Sequence, residues 1–144
     1  MPHATRENLG YLLAKASQRW NERLEEGFAE AGFPEVKASY GSVLIPLFEE
    51  DGLRIGEIAR RTRLSKQTMT TMVRLCERDG LVERRPDPDD GRATRVHLTA
   101  KANRFEPRAE DVLAALEREA GSLLGPRERN LLRRSLADLQ RLGL

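Results

Sequence analysis

The chain is poor in the residues that usually announce chemistry. It has a single cysteine, Cys76, and two histidines, His3 and His97. One cysteine cannot close an intramolecular disulfide, which agrees with a reducing compartment. Two histidines so far apart in sequence offer no zinc-ligand spacing, so no metal or other cofactor is expected. No apolar run approaches the roughly 20 residues of a membrane span, and Met1 to Gly10 lacks the apolar stretch of a signal peptide. A cytoplasmic protein with no membrane partner is the expectation. There is no glycine-rich phosphate loop, no histidine-rich metal motif and no nucleophile elbow. The run Glu49-Glu50-Asp51 could be mistaken for a catalytic carboxylate cluster, but at a helix-to-strand junction it reads as solvated. These absences leave an enzyme without a constellation to support it.

What is present fits one compact domain over residues 1–144, with 39% hydrophobic residues and enough length for a core. The net charge of +2 is unevenly spread. Between Arg60 and Asp79 six basic residues (Arg60, Arg61, Arg63, Lys66, Arg74, Arg78) face only Glu77 and Asp79, a local excess of +4 that suits a polyanionic partner.

Both ends read as helix. Leu9, Leu12, Leu13, Ala16, Trp20, Leu24 and Phe28 recur three or four apart, until Gly32 and Pro34 stop the pattern. A shorter helix from about Ser39 to Phe48 carries Tyr40, Val43, Leu44 and Leu47, and Pro46 predicts a kink in it. Thr99 is a suitable N-cap for a helix to about Leu124, with a bend or late start expected at Pro107. Gly125-Pro126 then opens a last helix bearing Leu131, Leu132, Leu136, Leu139 and Leu142. These stripes are too long for a small neighbouring module to cover, so a second copy is expected on the segments 5–31 and 99–144.

The middle, 53–98, differs. Ile55, Ile58 and Ala59 make a short helix, a break falls at Thr62-Arg63-Leu64, and Ser65 caps a second helix that Gly80 stops. In that second helix Met69, Met72, Val73 and Cys76 form a buried seam, leaving Gln67, Thr70, Thr71, Arg74 and Arg78 outward. This is the division of labour of a helix-turn-helix, with one face anchored and the other offering short hydrogen-bonding groups and positive charge to a major groove. The N-terminal residues Ser65, Lys66, Gln67 and Thr68 lead into the groove, where N–H groups also favour phosphate.

Then comes "RRPDPDDGRATRVHLT", Arg84 to Thr99, with three aspartates and two prolines among four arginines. Val96 and Leu98 alternate with Arg95 and His97, and Leu81 to Arg85 supplies a hairpin partner. Asp-Gly is a tight-turn signal because glycine supplies φ > 0, although this loop is too long for a minimal turn. The hairpin reads as a wing. Arg92 beside its tip is long enough to enter a minor groove, with Asp90 holding the guanidinium in a fixed direction.

With "LS" at Leu64-Ser65, "RDGLVERRPDPDDGR" and "VHLTAK" at matching spacing between long helices, the whole chain resembles the MarR-type winged-helix transcriptional regulators. The resemblance implies a mainly α, winged-helix (α+β) fold and a homodimer formed by the terminal helices. It also implies a sequence-specific regulator, a repressor, reading a pseudo-palindromic operator in double-stranded DNA. A small aromatic or phenolic effector would lodge between dimer helices and winged module; Tyr11 and Tyr40 are the candidates to line that cavity, whereas Trp20 and Phe48 read as core. One branch of the family senses oxidants through a cysteine in the N-terminal helix, but Cys76 lies on the core seam. The chain departs from the family pattern with Arg63 where the turn often has Gly, Gly91 where the wing often has a second Arg, Arg95 where an apolar residue is common, and Ala102 where Gly often follows the Lys. A competing reading, a winged helix used as a protein-interaction module, has no aromatic anchors to recommend it.

Overall fold

The computed structural model describes residues 4–144. Helix α1 spans Leu9–Glu30; a 3-10 turn, Ala38–Tyr40, leads into α2, Gly41–Glu49; a short strand β1, Leu53–Arg54, leads into α3, Ile55–Thr62. The chain continues through α4, Lys66–Arg78, strands β2, Val82–Pro86, and β3, Thr94–Leu98, then α5, Ala100–Gly121, and α6, Pro126–Leu139. The three strands form one antiparallel sheet in the order β1-β3-β2.

Local chemistry accounts for most of the boundaries. Asn8, Ser65 and Thr99 each accept a backbone N–H in the first turn of α1, α4 and α5. Pro126 opens α6, where its missing N–H costs nothing. Helices α1, α3 and α4 end in the same way, with two backbone bonds folding back over the last turn. The left-handed residue that closes that motif is Gly32 after α1 and Gly80 after α4, but Arg63 after α3, at φ 57°. A side chain in that region costs about 1 kcal/mol, and the turn keeps it.

Neither internal proline breaks its helix. α2 runs through Pro46 and α5 through Pro107 from a first turn set by Thr99, so the predicted late start does not occur. Each proline forgoes one intrahelical bond. Pro46 is itself buried with Leu44 and Leu47, whereas Pro107 is exposed on a helix whose other face buries Phe105 and Ala109. α5 ends at Gly121, three residues before the expected Leu124.

The core sits where the winged module meets the long helices. Val43, Ile58, Met69, Val73, Cys76, Leu81 and Val96 are fully enclosed, and Met72 packs partly exposed against them. Phe105 of α5 meets Phe28 edge-on at 4.9 Å between centroids and Phe33 at 5.1 Å, joining α5 to α1. Leucines further out remain uncovered. Leu9, Leu12, Leu131 and Leu132 are 66%, 49%, 56% and 45% exposed, and no residue of α6 is buried.

At Gly27 helix α1 approaches α5 closely, since a Cβ there would lie 2.5 Å from Cγ1 of Val112. Val112 is β-branched and stiff in a helix, so it cannot swing aside. In Gly27→Ala the helix gains about 1 kcal/mol of propensity but loses about 1–3 kcal/mol to overpacking. We expect a lower urea midpoint for Gly27→Ala and recovery in Gly27→Ala/Val112→Ala. A midpoint raised by the single substitution would show that the contact is not limiting.

Candidate nucleic-acid interface

The outer face of α4 is built from its cap outward. Ser65 Oγ accepts the Thr68 N–H at 3.0 Å and donates to Thr68 Oγ1 at 2.9 Å, so these two side chains hold the helix start. The Thr70 and Thr71 hydroxyls donate back to the carbonyls of Lys66 and Gln67 at 2.8 and 3.2 Å. That spends their protons and leaves each an oxygen acceptor and a methyl group. Gln67 is exposed and has no side-chain partner.

The positive charge around α4 is smaller than its residue count. Arg60 and Arg61 both bond Glu57, whose carboxyl they hold down at about 2, and Arg61 also reaches Glu50 at 2.7 Å. Arg78 pairs with Asp79 at 3.2 Å. Arg63 donates to the Gln140 carbonyl at 3.3 Å, tying the turn to the end of α6. Among the described residues, only Lys66 and Arg74 of the six cations have no protein partner. Both lie on the exposed side of α4.

The wing is organised by a residue the sequence does not single out. Asp87 is the buried polar residue of the described chain, 3% exposed. Its Oδ2 accepts from Arg54 Nε at 2.7 Å and Arg95 Nε at 3.0 Å, and its Oδ1 from the Asp89 N–H at 2.8 Å. Arg95 also donates to the Gly52 carbonyl at 3.0 Å. The departure at Arg95 is therefore an anchor of the wing, partnered from β1 and the loop before it. The Asp89 N–H bond and the two guanidiniums hold the Asp87 carboxyl down at about 2 against the effect of burial. From α4, Glu77 pairs with Arg84 of β2 at 3.0 Å and sets the wing beside the helix.

Asp90 faces the Arg92 guanidinium as a long ion pair and bonds the Arg92 backbone directly. Its carboxylate accepts the Arg92 backbone N–H at 3.0 Å and stays 3.8 Å from Arg92 Nε, beyond hydrogen-bond reach. With Ala93 N–H donating to the Asp90 carbonyl, it shapes the turn at the tip. Gly91 is not in the left-handed region, because the loop is long enough to turn without it. The Arg92 side chain is 97% exposed.

Within the single chain the two candidate tyrosines do not line one cavity. Tyr40 is 1% exposed, and its hydroxyl donates to the Asp79 carboxylate at the end of α4. Burial and that carboxylate push the phenol up to about 12. Tyr11 is 43% exposed on the outer surface of α1. Tyr11 lines a shallow cavity at the start of α1 with Thr5, Arg6 and Asn8, while two further cavities are lined by Trp20 with Leu132 and Leu136, and by Phe28, Phe48 and Phe105. Trp20 and Phe48, read as core from the sequence, are thus partly buried cavity-wall residues.

Cys76 is fully buried and its thiol is pushed up to about 12, mainly by burial, as an unreactive thiol would be. His97 lies 3.7 Å from Asp51, and His3 lies outside the described residues. Glu50 and Asp51 are occupied, Glu50 by Arg61 and Asp51 by the Leu98 N–H at 2.8 Å. No group of three or more potential metal ligands occurs among the described residues, nor is any helix long and apolar enough to cross a membrane.

A carboxyl held below its ordinary 3.8 stabilises the fold above that value, and the contribution is lost as pH falls through about 2. Acid titration of wild type should therefore show wing loosening in that window, read by proteolysis between Arg84 and Arg95. Asp87→Asn should already be loosened at neutral pH and show a flatter acid response there. Identical acid profiles for the two proteins would remove Asp87 as the clamp.

A family model described as MarR family matches residues 47–93, from the end of α2 into the wing. The HTH-type transcriptional repressor Rv2887 of Mycobacterium tuberculosis is 30% identical over 128 residues, 87% of this chain and 88% of the relative. The transcriptional repressor CouR, solved on a 23-mer DNA duplex, is 28% identical with a TM-score of 0.80, covering 98% of this chain and 99% of that one. A probable transcriptional regulator from Pseudomonas aeruginosa is 27% identical at a TM-score of 0.78, over 92% and 97% of the two chains. On this match and this identity, the chain belongs to the MarR family of winged helix-turn-helix transcriptional regulators.

Proposed function

We propose that the chain is a homodimeric repressor that reads a pseudo-palindromic operator in double-stranded DNA and is released from it by a small-molecule effector. The observation that carries this reading is the outer face of α4, where the unpaired cations Lys66 and Arg74 flank Gln67, Thr70 and Thr71, with exposed Arg92 of the wing alongside. In this reading residues 53–98 are the DNA-binding module, and 5–31 and 99–144 are the dimerisation helices. Gln67 bonds adenine bidentately and Thr71 offers its methyl to a thymine. Lys66, Arg74 and the α4 N-terminus at Ser65 and Thr68 take phosphates. Arg92, its backbone fixed by Asp90, reads minor-groove shape. CouR, the relative solved on DNA, supports this choice of partner. The module would act in the cytoplasm, where the operator is.

The exposed leucines of α1 and α6 support the dimer, because an isolated chain would present more contiguous apolar surface than monomers usually tolerate. Two α4 helices held by that interface would sit about one DNA turn, ~34 Å, apart. The effector seat is the cavity of about 380 Å³ between α1, α2 and α5, a size that fits small aromatic or phenolic compounds. Its wall includes Val36, Lys37, Ala38 and Gly41, the neighbours of Tyr40. A ligand that moves this segment pulls on the Tyr40–Asp79 bond and so on the end of α4.

Competition binding against operators randomised one position at a time tests the interface. Gln67→Ala should cost about 1–3 kcal/mol and change the preferred base at one position of each half-site. Arg92→Ala should weaken all sequences, most where A·T runs narrow the minor groove. Arg74→Ala should lower the slope of log affinity against log salt by about one, and Arg60→Ala, already ion-paired, should leave it unchanged. Affinity indifferent to salt would sink the DNA reading altogether. Sedimentation should give a dimer at micromolar concentration; a monomer there would refute the role of the terminal helices.

A further inference from the structure

The cavity between α1, α2 and α5 has an electrical character as well as a size. Its interior is apolar, with Leu24, Phe28, Leu44 and Phe105 among its walls, and Phe48 stands at its side. Its remaining lining carries three carboxylates, Glu49 at the end of α2 and Glu106 and Glu110 on α5, against one ammonium, Lys37. None of these four side chains makes a hydrogen bond or ion pair within the protein, among the described residues. Elsewhere carboxylates are commonly committed: Glu22, Glu50, Glu57, Glu77, Glu117, Glu119, Asp79 and Asp87 all hold a cation. Unpaired negative charge therefore gathers at the mouth of an aromatic-walled cavity.

Resting on the reading of this cavity as the effector seat, we infer that it selects an aromatic cation, an arylalkylamine in particular, and disfavours an aromatic carboxylate. The aryl group occupies the apolar interior, and the ammonium stays at the mouth among the three carboxylates. Glu106 and Glu110, four residues apart on one helix face, repel each other until a cation lies between them. A carboxylate in the same pose meets one favourable charge and three unfavourable ones.

Three probes of one skeleton separate charge from fit: 2-naphthylmethylammonium, 2-naphthalenemethanol and 2-naphthoate, titrated calorimetrically into the full chain. The ammonium is expected to bind roughly tenfold tighter than the naphthoate, with the alcohol between them, since each exposed charge pair contributes about two- to fivefold. Glu106→Gln and Glu110→Gln should each weaken the ammonium by that same two- to fivefold while leaving the alcohol unchanged, which controls for folding and for the shape of the cavity. Naphthoate binding as tightly as the ammonium, or variants that weaken the alcohol equally, would overturn the charge selection and leave the effector seat standing. Failure of all three to bind at millimolar concentration would remove the seat itself, and the selection with it.

Discussion

Three arginines stand in a row across the small sheet, and the wing depends on the one carboxylate that makes that row tolerable. Arg54 pairs in register with Arg95, and Arg95 with Arg85. Like charges directly opposite one another push strands apart. Asp87 answers by taking Arg54 and Arg95 on a single oxygen, and Glu83 takes Arg85 along its own strand. The same Asp87 receives the Asp89 N–H on its other oxygen, while its own N–H donates to the Ala93 carbonyl. One side chain thus holds the wing's loop to its strands. Because Arg54 is also the residue that precedes α3, the wing is fixed to the helix-turn-helix as well.

The same logic explains why so few of the cations around α3 and α4 are left for a polyanion. Around α3 the arginines are bound to Glu57 and Glu50, and at the far end of α4 Arg78 is bound to Asp79. Each such pair costs little and gains little at an exposed site, but it removes a charge from competition for a polyanion. What is left, Lys66 and Arg74, lies on the side of α4 that also carries Gln67. Pairing has focused a diffuse basic segment into a narrow stripe. Glu77 with Arg84 then sets the angle between that stripe and the wing.

Much of this fold is legible in the sequence because its rules are local. Ser65 and Thr99 cap helices within three residues of themselves, Gly80 ends α4 by its own backbone freedom, and the seam of Met69, Val73 and Cys76 follows from helical period. Other features are not local. The aspartates at 87, 89 and 90 look equivalent in a row, and nothing near them announces that Asp87 is enclosed while Asp90 merely shapes a turn. The available signal lies in the register: once β1, β3 and β2 are aligned, three facing arginines require a counter-charge. Pro46 and Pro107 show the opposite failure, where a sound local rule yields to the packing of the helix that carries the ring: Pro46 is itself buried, and α5 buries Phe105 and Ala109 on either side of an exposed Pro107. Tyr40 is read as part of an apolar face, but its hydroxyl partner lies 39 residues away, so periodicity gives its burial and cannot give its bond.

Rigid and unfinished parts of the molecule meet at that bond. The winged module is tied internally by Asp87, by Glu77 with Arg84, and by a core with several fully enclosed side chains. The outer stretches of α1 and α6 are not finished in the single chain, since their leucines stay exposed. Between them runs a short polar seam: Tyr40 to Asp79, the Asp79 carbonyl to Lys101, and Lys101 to Glu35, whose carboxyl it holds below the usual range. These residues sit on the segment before α2, the end of α4 and the start of α5. A displacement of the long helices must either carry the end of α4 with it or break bonds that are partly shielded from water, where an abandoned partner is costly. The seam therefore ties the segment before α2 and the start of α5 to the end of α4, the helix whose outer face carries Gln67 and Arg74.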